Sequence, residues 1–250
     1  MSKSKLLLVT GGSRGIGAAC ARAAGREGYR VIVNYVSDEK AAQSVVADIQ
    51  KAGGEAEAIK ADVGEEKEIL RLFETIAKKF GPVTHLVNNA GIIGRAGTLV
   101  AADPATIRKV IDLNVTGAIL VVREAIKQML PVNGGKGGAI VNLSSMAASL
   151  GAPGEYTWYA ASKGAIDSLT VGLSREVAKE GIRVNAVSPG LIDTDIHAAG
   201  GQPDRLERLA HLTPMGRAGS AEEVAATILW LLSDQASYVT GANVRVSGGR

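Results

Sequence analysis

What most limits the fold of this chain is a regular alternation of short apolar runs with stretches of helical period, sustained from end to end. Leu6-Leu7-Leu8-Val9, Val31-Ile32-Val33, residues 56–61, His85-Leu86-Val87-Asn88, residues 139–143, residues 183–187 and Val244-Arg245-Val246 read as seven strands. Helical stretches lie between them at about 15–27, 38–51, 65–80, 104–130, 159–180 and 221–232. Strands that are apolar throughout, rather than alternating, need cover on both faces. Strand–helix alternation supplies that cover as a parallel sheet with helices on each side. The expectation is an α/β chain: one domain over 1–250, doubly wound around a seven-stranded parallel sheet. The Gly-rich connection at 133–138 is no boundary, because further strands follow it.

Composition narrows the function classes. With 31 Gly and only 4% aromatic residues, the core must be aliphatic and closely packed around many tight turns. A net charge of +3 without a Lys/Arg-rich run argues against a nucleic-acid partner. Cys20 is the only cysteine, which excludes an intrachain disulfide and a Cys-based metal framework. It reads as a small buried residue of the first helix. His85, His197 and His211 do not form a metal-ligand spacing, so no metal is expected. His85 reads as structural. His197 reads as a solvated loop side chain, with substrate contact as the alternative. No segment reaches the ~18 uninterrupted apolar residues of a membrane helix, and the N-terminus lacks a signal-like apolar region. A cytoplasmic protein without a membrane partner is the expectation.

Thr10-Gly11-Gly12-Ser13-Arg14-Gly15-Ile16-Gly17 joins the first strand to the first helix. Without side chains the backbone turns sharply and approaches a pyrophosphate, whose charge a helix N-terminus favours. Such a turn can also be an ordinary loop; its place between a buried strand and a helix argues for the ligand. The spacing Gly11-x-x-x-Gly15-x-Gly17 resembles the TGxxxGxG turn of the short-chain dehydrogenase/reductase family, not the G-x-G-x-x-G of commoner dinucleotide folds. NAD-selective sites place an acid at the end of the second strand, against the ribose 2′-OH. Asn34-Tyr35 stand there instead, and Asp38 reads as the cap of the next helix. With Arg14 offering a cation nearby, NADP(H) is expected over NAD(H). Asp62-Val63 closes the third strand, where the family holds adenine. Asn88-Asn89-Ala90-Gly91 resembles the family's NNAG motif. Singly each could be an ordinary turn; at the C-terminal ends of successive strands they outline one crevice.

Of the five tyrosines only Tyr159 has a lysine, Lys163, four residues on. In a helix that spacing puts both side chains on one face. A phenol of pKa ~10 is a poor base at neutral pH, and a nearby ammonium favours its ionised form. Tyr159 can then give a proton to a carbonyl oxygen, or take one from an alcohol, as hydride passes to or from nicotinamide. Leu143 to Lys163 resembles the family's Ser…Tyr-x-x-x-Lys constellation, which makes Ser145 the catalytic serine and Ser144 the second choice. Asn114 resembles the family asparagine that bends its helix and holds a water serving Lys163. Ser188-Pro189-Gly190 resembles the turn behind the nicotinamide, with Ile192 and Thr194 against the carboxamide. One departure stands out: fourteen positions separate Ser145 from Tyr159, where thirteen is usual. The segment 154–158 carries the extra residue, and within it Tyr156 reads as a pocket-wall or interface aromatic.

The resemblance covers essentially the whole chain. It implies a Rossmann-fold, NADP-dependent oxidoreductase of CH–OH groups, similar to bacterial 3-oxoacyl-carrier-protein reductases or glucose 1-dehydrogenases, with a small-molecule carbonyl or alcohol as substrate. A 3-oxoacyl thioester and a sugar both remain open. It also implies a homotetramer. A catalytically silent NADP-binding sensor is the alternative, but such a protein would be expected to lose the tyrosine or lysine. The substrate loop is expected at about 194–215. Its Arg205 and Arg208, with Arg217 just beyond, suit either an anionic substrate or a charged helix face.

Overall fold

In the computed structural model, which describes residues 5–250, the seven runs read as strands form a single sheet. Its strands are β1 (Leu6–Val9), β2 (Arg30–Tyr35), β3 (Glu55–Lys60), β4 (His85–Asn88), β5 (Gly138–Leu143), β6 (Ile182–Pro189) and β7 (Asn243–Val246). Their order is β3-β2-β1-β4-β5-β6-β7, and every pairing is parallel. The pleat divides each apolar run between two cores. Leu7 and Val9 join one core with α1 (Gly15–Arg26), α2 (Glu39–Lys51) and α10 (Ala221–Leu232). Leu6 and Leu8 join the other with α3 (Glu66–Phe80), α5 (Ala118–Met129) and the end of α7 (Thr157–Val177). Cys20 is fully buried in the first core.

Strand order reverses between β1 and β4, so their C-terminal ends diverge and open a crevice. The reversal places the Gly-rich turn after β1 beside the Asn-rich end of β4.

The helical stretch read over 104–130 is interrupted. It comprises α4 (Pro104–Ile111), a π-helical turn (Asp112–Gly117) and α5. Two contacts explain the break. Asn114 is bonded to the loop after β4, and a Cβ on Gly117 would lie 2.1 Å from the Val63 carbonyl oxygen. The stretch read over 159–180 begins at Thr157 and ends in a 3₁₀ turn over Ala178–Glu180. Three short helices escape the sequence pattern: α6 (Ala147–Leu150), α8 (Ile196–Ala199) and α9 (Arg205–Leu209). Each is too short to show a period. In α10, Ile228, Leu229, Leu231 and Leu232 are buried while Trp230 is 42% exposed. No helix of the described residues is long and apolar enough to cross a membrane.

Candidate active site

A cleft of about 1370 Å³ runs along the C-terminal ends of the strands. Every site residue expected from sequence lines it except Gly17 and Asn114, which support it from behind. Gly11 and Gly15 have φ of +60° and +51°, conformations that favour glycine. A Cβ on Gly17 would come 2.3 Å from the Gly11 carbonyl oxygen and 2.7 Å from Asn89 Nδ2. The turn can lie this tightly on α1 only with glycine there. No side chain caps the N-terminus of α1, where Arg14 is the boundary residue. Ser13, Gly15 and Ile16 of this terminus line the cleft, and the unpaired first-turn amides of a helix are anion donors. A bare cradle of this kind fits the pyrophosphate of a dinucleotide.

The cradle is braced from β4. Thr10 Oγ1 accepts from the amides of Asn89 (2.9 Å) and Ala90 (3.1 Å). Asn89 Nδ2 donates to the carbonyls of Thr10 and Gly11. Asn34, expected to meet the ribose, is instead buried under the turn. Its Nδ2 donates to the Ala61 carbonyl at 2.9 Å, and its backbone oxygen accepts from Gly12. A short amide on a buried strand end finds backbone partners more readily than ligand ones. Tyr35 is nearly buried as well. Asp38 caps α2 by accepting from Ala41 at 2.9 Å. Arg14 is exposed and has no ion-pair partner among the described residues. Asp62 accepts from the Gly64 amide at the rim, beside buried Val63.

At the other end of the cleft, the turn after β5 delivers Ser144 and Ser145, and α7 delivers Tyr159 and Lys163 one turn apart. The two serines point different ways. Ser145 lines the cleft together with Tyr159, and its Oγ accepts from the Ala147 amide. Ser144 is buried, donating to the Lys163 carbonyl and touching Asp167. Burial holds the Tyr159 phenol above its usual pKa, and the neighbouring Ser145 hydroxyl pulls it back only in part. The Lys163 ammonium lies 5.7 Å from the Tyr159 ring centroid and donates to the Leu143 carbonyl at 2.6 Å. Burial lowers its pKa to about 8, against the opposing pull of Asp167. Asn114 clamps the loop after β4. Its Oδ1 accepts from the Ile92 amide (2.9 Å), and its Nδ2 donates to the Ile92 carbonyl (2.8 Å) and Ser162 Oγ (3.1 Å). Gly91 lies between Asn114 Oδ1 and Lys163 Nζ, 3.2 Å and 3.6 Å from where its Cβ would be.

Pro189 and Gly190 form the opposite wall. A Cβ on Gly190 would meet Ser247 Cα at 2.8 Å. Ile192 is buried, and Thr194 faces Gly15 across the cleft. His197 is not the solvated side chain expected: it is half-buried, with Nε2 2.8 Å from the Ile192 carbonyl. His85 is structural as expected, lying edge-on to Tyr29 with burial lowering its pKa to about 4. The three arginines are each satisfied internally, by Glu155 for Arg205, Asp204 for Arg208 and Glu223 for Arg217. Ile93 and Met146, which directly follow the motifs at 88–91 and 144–145, also line the cleft, as does Arg250, which no motif announces.

Known proteins place this arrangement. Residues 11–250 match a family model described as enoyl-(acyl carrier protein) reductase. The solved structure of a short chain dehydrogenase from Burkholderia cenocepacia in complex with NADP superimposes with a TM-score of 0.90. The two are 33% identical, over 98% of this chain and 97% of that one. The chain belongs to the short-chain dehydrogenase/reductase family. As a member it is an NAD(P)-dependent oxidoreductase. An uncharacterized oxidoreductase of Escherichia coli, YgfF, is 53% identical over 98% of this chain and 99% of its own. A 3beta-hydroxysteroid dehydrogenase of Eggerthella lenta is 43% identical, over 99% of this chain and 94% of its own.

Proposed function

We propose that this dehydrogenase/reductase transfers hydride between NADP(H) and a small-molecule carbonyl or secondary alcohol, with Tyr159 as general acid/base. The observation that carries the reading is Tyr159 grouped with Ser145 and with buried Lys163, whose ammonium lies 5.7 Å from the Tyr159 ring centroid, in a cleft whose other end is an uncapped helix N-terminus. Bound nicotinamide supplies or accepts the hydride. Ser145 holds the substrate oxygen next to the phenol. Burial keeps Tyr159 protonated at neutral pH, ready to donate to a carbonyl oxygen as negative charge develops there. Lys163, held by Leu143, offsets the charge left on the phenol, and Asn114 keeps the loop beside it in place. Ser13, Arg14, Ile16 and the glycines bind the phosphates; Asp62, Val63, Asn89, Ala90 and Gly91 line the adenine and ribose side. Pro189, Gly190, Ile192 and Thr194 back the nicotinamide.

Selectivity for NADP(H) over NAD(H) rests on the β2 end, where Asp38 is spent on its helix cap, and on Arg14 in the turn after β1, which has no ion-pair partner among the described residues. On the substrate side, Ala147, Ala152, Tyr156 and Ile196 pack around Tyr159, and Arg205 is paired with Glu155. That lining supports a carbonyl on an apolar body, such as a 3-oxoacyl thioester, over a sugar, which needs many polar partners. The reading includes a homotetramer, supported by exposed apolar Ile119 on α5 and Val171 on α7; a monomer in light scattering would reject it. The decisive assay follows NADPH oxidation across acetoacetyl thioesters, steroids, quinones and sugars, then repeats it with NADH. Turnover of apolar carbonyls at higher kcat/KM with NADPH is expected. A tenfold preference for NADH overturns the cofactor assignment, and cofactor binding without turnover of any carbonyl overturns the enzyme reading.

A further inference from the structure

The rim of the substrate side is tied together by residues with no part in the chemistry above. Glu155 precedes α7, in the segment that departs in length from the family resemblance. It forms an ion pair with Arg205 of α9, and Gln202 Nε2 donates to the same carboxylate at 3.4 Å. Arg205 is only 8% exposed, an unusual burial for a guanidinium on a five-residue helix. Its guanidinium carbon lies 5.1 Å from the Tyr156 ring centroid, and the Tyr156 ring meets that of Tyr159 edge-on at 5.6 Å. The backbone joins a third segment to the same point. Gly97 donates to the Glu155 carbonyl at 2.7 Å, and Ala96 donates to the Gly200 carbonyl at 3.1 Å. Three loops that are remote in sequence, around 95, 155 and 202, therefore meet over the cleft.

We propose that the Glu155–Arg205 pair is a latch that holds the 196–209 segment closed over the substrate pocket, with Tyr156 as the wall it presses against Tyr159. The inference rests on the reading of that end of the cleft as the substrate site. The physical case is one of replaceable strength. A charge-assisted, partly buried pair is strong enough to order two short helices with little apolar cover of their own. It is weak enough to open when substrate must enter. Because Arg205 stacks on the ring that packs against the proton donor, closure also sets the shape of the pocket around the reacting carbonyl. Arg205 and Glu155 are thus positioning residues.

The test compares Arg205→Met, Glu155→Gln and Arg205→Lys with the parent enzyme, using the best apolar carbonyl from the panel and NADPH. Arg205→Met and Glu155→Gln are expected to raise the substrate KM by roughly tenfold, equivalent to about 1.4 kcal/mol. The KM for NADPH and kcat should stay within about twofold, and Arg205→Lys should recover most of the substrate KM. Hydrogen–deuterium exchange should quicken over residues 196–209 in the first two variants and nowhere else. If Arg205→Met does not fold, Glu155→Gln, whose side chain is partly exposed, decides alone. An unchanged substrate KM, or exchange that quickens throughout the chain, overturns the latch. A parent enzyme that reduces no carbonyl sinks the functional reading instead, so the two failures are distinguishable.

Discussion

Replacing Asn114 with alanine removes three hydrogen bonds from a residue only 1% exposed. Two of its partners are the amide and carbonyl of Ile92, which lose their side-chain partner. A buried backbone group left without a partner costs about 1–3 kcal/mol. Partial exposure of Ile92 puts the pair towards the low end, so the loss is about 3 kcal/mol. For a chain of this length each kcal/mol corresponds to about 2–4 °C, giving a Tm drop of about 6–12 °C. Function should suffer too, because Gly91, between Asn114 and Lys163, belongs to the loop that the clamp holds. Misplacing a catalytic neighbour by a fraction of an ångström to an ångström costs about 10- to 100-fold in kcat/KM. Thermal unfolding followed by circular dichroism and an NADPH-oxidation assay read both quantities. A Tm within about 2 °C of the parent with unchanged kcat/KM would refute the view that Asn114 organises this end of the cleft.

Other substitutions probe separate parts of the site. Gly17→Ala puts a methyl 2.3 Å from the Gly11 carbonyl; overpacking of this kind costs about 1–3 kcal/mol, so fluorescence titration should show NADPH affinity falling at least tenfold, and unaltered affinity would deny the close packing a role. Ser145→Ala should reduce kcat by about 10²-fold or more, whereas Ser144→Ala should act mainly on stability; the reverse pattern would exchange their roles. Lys163 is charged below about pH 8 and neutral above it, because burial lowers its pKa. Once neutral it no longer offsets charge on the Tyr159 phenol, so kcat/KM for carbonyl reduction should be level below that pH and decline above it. Lys163→Met should lower the plateau and abolish the break, and a break that survives in the variant belongs to another group.

The inner strands were legible in the sequence because strands covered on both faces must be largely apolar, whereas the edge strands β3 and β7 carry charged residues and are partly exposed. The cradle was legible because only glycine satisfies the positive φ of Gly11 and Gly15 and the contact at Gly17. Tyr159 and Lys163 were legible because helical spacing brings i and i+4 together without reference to the rest of the fold. Other features depend on what a side chain meets from elsewhere in the chain. Asn34 reads as a ligand contact by position, yet Ala61, Ile59 and the Gly-rich turn claim its amide. Arg205 reads as a free cation until Glu155, fifty positions away, is brought beside it. The break at Asn114 likewise needs Ile92 and Val63, contributed by the loops after β4 and β3.

The central claim is that Tyr159 moves the proton while other residues hold the cofactor. Tyr159→Phe keeps the ring, its edge-on contact with Tyr156 and the packing of α7, and removes only the hydroxyl. Measured with NADPH and the best carbonyl from the panel, kcat should drop by about 10²–10⁴-fold, while the fluorescence-derived Kd for NADPH stays within about twofold. Carbonyl reduction that persists at the parent rate in that variant would contradict the account.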